Sequence, residues 1–260
     1  MAEILEPGRK TLRKMGYLKD QAGILKRYFR EEGNWHNHID NCHEFILNEL
    51  KSAKPEKVLV LGSGWLLDFP IDNQDIRNID ITLADISHPR QIVHKVKNLS
   101  SVQLLNIDIT AGLIERVFSL VDEGQKSGSK PDITNLDIPP ISFTENYEYV
   151  ISLNILNQLD TLLVDYMEKF WNFSEEEILT FRKQIQQSHL SIFQSTKGIL
   201  ISDMVELQKD KKGTVINEKK LIFADLPASK NRKSWEWNFD THYAYNDNHL
   251  VDMVVEAISF

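Results

Sequence analysis

Two glycines and two carboxylates carry most of the chemistry that this sequence offers. Val58-Leu59-Val60-Leu61 runs straight into Gly62-Ser63-Gly64. A buried strand ending on a glycine turn presents main-chain N–H groups with no Cβ in the way, which suits the close approach of a nucleotide-like ligand. The plainer alternative is a tight strand-to-helix turn. Asp85 stands 23 positions after Gly62, closing Ile81-Thr82-Leu83-Ala84, where a carboxylate is placed to accept from both hydroxyls of a ribose. Since Asp85-Ile86-Ser87-His88-Pro89 leads into a helix, Asp85 or Ser87 could cap it instead. Asp108 follows Leu104-Leu105-Asn106-Ile107 at the same interval. It suits an adenine exocyclic amine, or the cap of a helix beginning near Thr110. Three strand ends bearing Gly-x-Gly, Asp and Asp would converge on the crevice outside the carboxyl ends of an open α/β sheet.

The histidines are less informative. His36, Asp40 and His43 recur at i, i+4 and i+7 on one helix face, but three ligands from one helix seldom enclose an ion, and no metal is assigned. Trp235 and Trp237 alternate on a strand and share one face, where they are expected to pack.

The elements that must position these residues are legible in the apolar spacing. From Thr11 to Lys54 the spacing is near three and four, which predicts two or three amphipathic helices interrupted at Gly23 and Gly33-Asn34 and ended by Pro55. Beyond it, Lys57–Leu61, Ile79–Ala84, Val102–Ile107, Tyr149–Leu153 and Gly198–Ser202 are short apolar runs without alternation, as in strands covered on both faces of a parallel sheet. Helices are expected over Pro89–Lys97, Ala111–Asp122, Gln158–Phe170 and Ser174–Ser195, the last opened by a Ser174/Glu177 capping box. Pro70 delays a first crossover helix until about Ile71. Glu123–Asn146, rich in Gly, Ser, Pro and Asp, is expected to be a flap near the site. Leu221–Ala224, Trp235–Phe239 and Val251–Ile258 predict an antiparallel carboxy-terminal addition. The predicted architecture is α/β, with an amino-terminal helical cap over residues 1–55 and one domain over 56–260.

These residues together resemble the class I S-adenosylmethionine-dependent methyltransferases, from about Glu56 to Phe260. Gly62-Ser63-Gly64 is similar to the glycine loop, Asp85 to the ribose acid, Asp108 to the adenine-side acid, and Ile151–Leu159 to the fourth-strand motif. The resemblance implies a Rossmann-like, mostly parallel seven-stranded sheet with an antiparallel carboxy-terminal strand. It implies S-adenosyl-L-methionine as cofactor, held by Gly62, Ser63, Gly64, Asp85, Ile86, Asp108, Ile109 and Asn154, and methyl transfer to a small-molecule acceptor. On the acceptor side it implies Trp35, Asp203 and Trp237 as pocket walls, with His38 on the cap receiving the acceptor's proton. The chain departs from the family in having Val60 where an acidic residue helps hold the methionine amino group, and Trp65-Leu66-Leu67 in place of the third glycine. Asp68 could replace the missing acid or cap a helix. These departures keep open a non-catalytic binding or assembly module. Leu67, standing where a G-x-G-x-x-G pattern requires glycine, counts against a nicotinamide-dependent oxidoreductase.

Composition excludes other classes. With 260 residues, 42% hydrophobic, 30 Lys+Arg against 38 Asp+Glu and a formal charge of −8, the chain reads as a globular protein without the clustered positive charge of a nucleic-acid binder. Asp137-Ile138-Pro139-Pro140 lacks the aromatic of an amino-methyltransferase D-P-P-Y signature and precedes the fourth strand, which also argues against a nucleic-acid substrate. One cysteine, Cys42, fits a reducing, cytoplasmic compartment. Met1–Lys10 lacks a signal-peptide pattern, and no apolar stretch is long enough to span a membrane. Exposed aromatics on the cap would support a homodimer.

Overall fold

The computed structural model describes residues 6–260, so the first half of the Met1–Lys10 stretch lies outside the described residues. A short helix, α1 (Arg9–Met15), turns at Gly16, whose φ of 99° is in the left-handed region that glycine favours, into α2 (Tyr17–Ala53). The α2 helix is continuous over 37 residues, where interruptions at Gly23 and Gly33 were expected. Each glycine costs about 1 kcal/mol in a helix interior. Burial of Trp35, His38, Cys42, Phe45, Ile46 and Leu50 along one face outweighs that. The helix ends at Lys54, just before Pro55.

The sheet is built from β1 (Lys57–Leu61), β2 (Asp80–Asp85), β3 (Val102–Asn106), β4 (Tyr149–Leu153), β5 (Lys197–Lys209), β6 (Val215–Lys220), β7 (Asn231–Asp240) and β8 (Leu250–Ser259). Its order is β3-β2-β1-β4-β5-β8-β7, with the first five strands parallel and β8 antiparallel to both neighbours. Five parallel strands with an antiparallel strand inserted near one edge are the Rossmann-like arrangement that the resemblance implied. An eighth strand, β6, pairs with the outer half of β5.

Helices α3 (Arg90–Val96), α4 (Leu113–Ser127), α5 (Thr161–Glu168), α6 (Glu175–Leu190) and α7 (Ile192–Ser195) complete the layers. One face of the sheet packs against α2, α3 and the segment after β1, through Phe45, Ile46, Phe69, Ile71, Ile76 and Ile92 among others. The other packs against α1 and α4–α7, through Met15, Val117, Leu163, Phe181 and Ile185. The capping box on α6 forms as expected, with the Ser174 hydroxyl accepting from Glu177 N.

Three expectations fail for identifiable reasons. No α-helix follows β1; a single 3-10 turn at Gln74–Ile76 stands there, and α2 covers that face instead. Leu221–Ala224 is not a strand, because the fully buried Gln186 satisfies its backbone: Nε2 donates to Leu221 O at 2.9 Å, and Oε1 accepts from Phe223 N at 2.7 Å. The segment 123–146 is no flap over the crevice. It begins as the last turns of α4 and is then pinned by fully buried Ile133, with Gln184 donating to Thr134 O and Ser188 to Pro139 O. Among the described residues no helix is long and apolar enough to cross a membrane.

Candidate functional site

A crevice of about 400 Å³ opens outside the carboxyl ends of β1, β2, β4 and β5, where the crossovers leave the central strands in opposite directions. Open α/β sheets bind ligands at this switch point, and the size suits a small-molecule site. Gly62, Ser63, Gly64, Asp85, Ile86, Asp108, Ile109, Asn154, Trp35, Asp203 and Trp237 all line it.

The glycine loop is shaped by sterics. Gly62 has φ 81°, and a Cβ there would stand 2.6 Å from Leu153 O and 2.9 Å from the Ile155 Cβ, so only glycine lets the chain leave β1 beside β4. Gly64 N donates to Asp85 Oδ2 at 2.8 Å, while Asp85 Oδ1 receives only a long 3.5 Å contact from Ser87 N. One carboxylate oxygen thus sets the loop and the other retains accepting capacity. Burial pushes the Asp85 carboxyl above its ordinary value, against the opposing pull of His88 and three backbone N–H groups. The Ser63 hydroxyl meets His88 Nε2 at 2.9 Å, and His88 Nδ1 donates to Asn106 Oδ1 at 2.8 Å, joining three strand ends. Trp65 does not fill the crevice. Its indole N–H donates to Gln21 O at 2.7 Å, forming a wall with the start of α2, and Leu66 is buried beneath.

Asp108 resolves toward its structural alternative. Oδ1 accepts from Thr110 N and the Thr110 hydroxyl, and Oδ2 accepts from Gly112 N and Ile114 N at 3.1 Å each. Four donors occupy its four lone-pair sites, leaving none for an adenine amine. It caps the start of α4 and holds the loop that carries Ile109.

Behind the inner wall, His38 is fully buried and is not among the residues lining the crevice, contrary to the expectation that it faces the acceptor. Its Nδ1 accepts from Trp235 Nε1 at 3.1 Å. Because an indole N–H can only donate, the ring proton is left on Nε2, which lies 3.4 Å from Asp68 Oδ1. The ring stacks on Trp237 at 3.8 Å and 9°. Asp68 neither caps a helix nor hangs free: Asn154 Nδ2 donates to its Oδ2 at 2.8 Å. Burial pushes its carboxyl up, but His38, Asn154 and His43 together hold it below the ordinary value.

Asp203 sits on β5 at a bulge opposite β8, 4% exposed, and accepts from Asn157 Nδ2 at 3.2 Å through Oδ2. Burial, opposed by His38 and reinforced by Asp68, pushes it up to about 6. Trp35, Trp237 and Phe239 form a mutual aromatic wall beside it, the Trp35 indole donating to Phe239 O at 3.1 Å. Glu206, also near this end of β5, accepts from the Tyr245 hydroxyl at 3.2 Å and so orients Tyr245 at the rim.

His36 and Asp40 are exposed, and His43 turns to Leu67 O at 3.1 Å, so the helix-face triad does not assemble around an ion. A different trio, His38, Cys42 and Asp68, lies close enough to surround one. It is poorly suited: the Nε2 that would ligate carries the ring proton, and burial raises the Cys42 thiol well above its usual range.

Sequence reading missed the contribution of α2. Tyr17, Asp20, Gln21 and Arg27 line the crevice from its first turns. Gln21 hydrogen-bonds Ser87 through both ends of its amide, and Arg27 lies 4.9 Å from the Phe239 ring centroid. Nothing local marks these residues, since their partners are distant in the chain. Asn157 had a signal, an asparagine three positions after Asn154 at a strand end.

No family model matches the chain, and no curated protein does. Among solved structures, the N-methyltransferase NodS from Bradyrhizobium japonicum in complex with S-adenosyl-L-homocysteine overlaps 85% of each chain at 9% identity and a TM-score of 0.33. TehB from Haemophilus influenzae overlaps 84% of this chain and 61% of its own at 14% identity and 0.36. Coclaurine N-methyltransferase bound to N-methylheliamine and S-adenosylhomocysteine overlaps 82% and 69% at 11% identity and 0.35. The fold assignment rests on the strand order and the antiparallel β8, not on these overlaps.

Proposed function

We propose that the protein is an S-adenosylmethionine-dependent methyltransferase acting on a small molecule. One observation carries the reading: the crevice at the switch point joins the Gly62–Gly64 turn, where Gly62 leaves no room for a Cβ, with a partly unengaged Asp85 carboxylate on the neighbouring strand. Those features fit an adenosine moiety. The glycine loop offers backbone free of side chains at Gly62 and Gly64, its own N–H groups being taken by Ala84 O and Asp85 Oδ2; Asp85 Oδ1 receives ribose hydroxyls, and Ile86 and Ile109 supply apolar surface for the base. Asn154 lies at the methionine end, where Asp68 supplies the carboxylate that Val60 cannot.

Bound S-adenosylmethionine supplies a sulfonium-borne methyl group open to in-line displacement. The chain's own contribution is alignment and exclusion of water. The first turns of α2 close over the crevice, so residues up to Pro55 act as a cap on the domain from Glu56 onward. His38 is a positioning residue that holds Asp68 and Trp237.

Titration calorimetry with S-adenosylhomocysteine tests this. Wild-type protein should bind, and Asp85→Ala should weaken binding at least tenfold. No heat from folded wild-type protein would reject the proposal in favour of a non-catalytic module.

A further inference from the structure

Three buried oxygens at the inner end of the crevice lack a protein donor: Oδ1 of Asn154, Oδ1 of Asn157 and Oδ1 of Asp203. Their identity as oxygens follows from their neighbours. Each amide lies against a carboxylate, Asn154 against Asp68 at 2.8 Å and Asn157 against Asp203 at 3.2 Å. A carboxylate can only accept, so each amide must turn its NH₂ toward the acid and leave its carbonyl oxygen over. The amides cannot flip to relieve the shortage. Buried polar atoms in folded proteins are almost always met, and a group of unmet acceptors calls for a donor from outside the chain.

Among the described residues no cation bonds these oxygens, Lys219 included, although it too lines the crevice. His38 gives its Nε2 proton toward Asp68, Arg27 lies over Phe239 and Tyr245, and Arg182 is engaged with Asp160 at 3.0 Å. Asp203 is therefore a buried acid, 4% exposed, with one oxygen unmet. A hydroxyl could satisfy one of the three acceptors, whereas an ammonium offers up to three N–H groups and a compensating charge. Trp237 and Phe239 line the same crevice, their rings suiting the carbon frame or a cation, and the Trp237 indole N–H, itself without a partner, is one donor for an acceptor atom of the ligand.

We propose that this inner chamber recognises an amine, a primary or secondary ammonium whose N–H groups are received by Asp203 and Asn157, Asn154 being left to the cofactor's methionine end, and whose carbon frame lies against Trp237 and Phe239. Amine binding follows from the chamber alone; the amine's role as methyl acceptor rests on the function proposed above. Anionic ligands are disfavoured by Asp68 and Asp203, and neutral hydroxyl compounds leave acceptors unmet.

The experiment is calorimetry on the full chain saturated with S-adenosylhomocysteine, titrated with benzylamine, phenethylamine and spermidine, and with benzyl alcohol and 2-phenylethanol as neutral counterparts. At least one amine should bind ten times more tightly than the alcohols. Asp203→Asn should weaken that amine at least tenfold while leaving S-adenosylhomocysteine affinity within threefold. Asn157→Ala, at a half-buried position, should weaken the amine about fivefold and guards against a folding defect in the first variant, with both folds checked by circular dichroism. Binding of alcohols as tight as amines, or of no amine in the series, overturns the proposal. So does a loss of S-adenosylhomocysteine affinity in Asp203→Asn with amine affinity intact, since the acceptors would then serve the cofactor's own amino group. Amine binding to a protein that ignores S-adenosylhomocysteine would keep the amine site and remove methyl transfer.

Discussion

Single residues in the crevice hold charge at a cost to the fold. Asp203 is pushed from its ordinary 3.8 to about 6 by burial, so between those values the folded chain binds a proton that the unfolded chain does not. Stability from this group therefore falls as pH rises through that window and stays lower above it. Two pH units correspond to about 3 kcal/mol, an upper bound for so enclosed a site. Asp203→Asn should thus raise the melting temperature at pH 7.5 and lose that advantage near pH 4; melts of both proteins across pH check it, and a gain independent of pH would refute the electrostatic cause. His189 works oppositely. Burial lowers it to about 4 from 6.5, so its contribution is present above pH 6.5 and is lost as pH falls toward 4. Asp108 shows the limit of single-residue reading, because a strand-end acid can serve a ligand or its own helix, and only the donors around it decide.

At the scale of elements, α2 does two jobs with one amphipathic face. Its carboxy-terminal half covers the sheet, and its first turns roof the crevice. Gln21 is the clasp, bonding Ser87 with its side chain and Trp65 with its carbonyl. Gln21→Ala should free these first turns: amide exchange over residues 17–27 should accelerate and S-adenosylhomocysteine affinity fall threefold to tenfold. Global stability should drop by only about 1 kcal/mol, the usual worth of a partly exposed hydrogen-bond pair. Exchange mass spectrometry with calorimetry reads both, and unchanged exchange would mean that the clasp is idle. The helix was visible in the apolar spacing, but its continuity was not, because glycine propensity is a local quantity that burial elsewhere on the helix overrules.

Across the whole molecule, the two hydrophobic cores lie on opposite faces of one sheet and share its strands. Neither face can lose its cover without exposing strands that the other needs, so unfolding should be a single transition. A ligand in the crevice contacts four strands and α2 and stabilises the native state as a unit. S-adenosylhomocysteine at a hundred times its Kd should add about 2.7 kcal/mol, a rise of roughly 5–10 °C for a chain of this size. A thermal melt with and without ligand measures it, and a flat response at millimolar ligand would count against the proposed function.

Strand runs, the Gly62–Gly64 turn and the two acids at matching intervals were legible in the amino-acid sequence because each depends on local geometry: which residues tolerate a buried strand, a positive φ or a strand end. The same locality foretold a mostly parallel sheet and an antiparallel addition at the carboxy terminus. What faces the ligand was decided by the tertiary structure. His38 went behind the wall because Trp235 and Asp68 claimed both ring nitrogens, Asp108 was consumed by four donors, and Gln21 and Arg27 arrived from a helix with no local mark of function. Hydrogen-bonding capacity is finite, and its allocation depends on partners brought together only by folding.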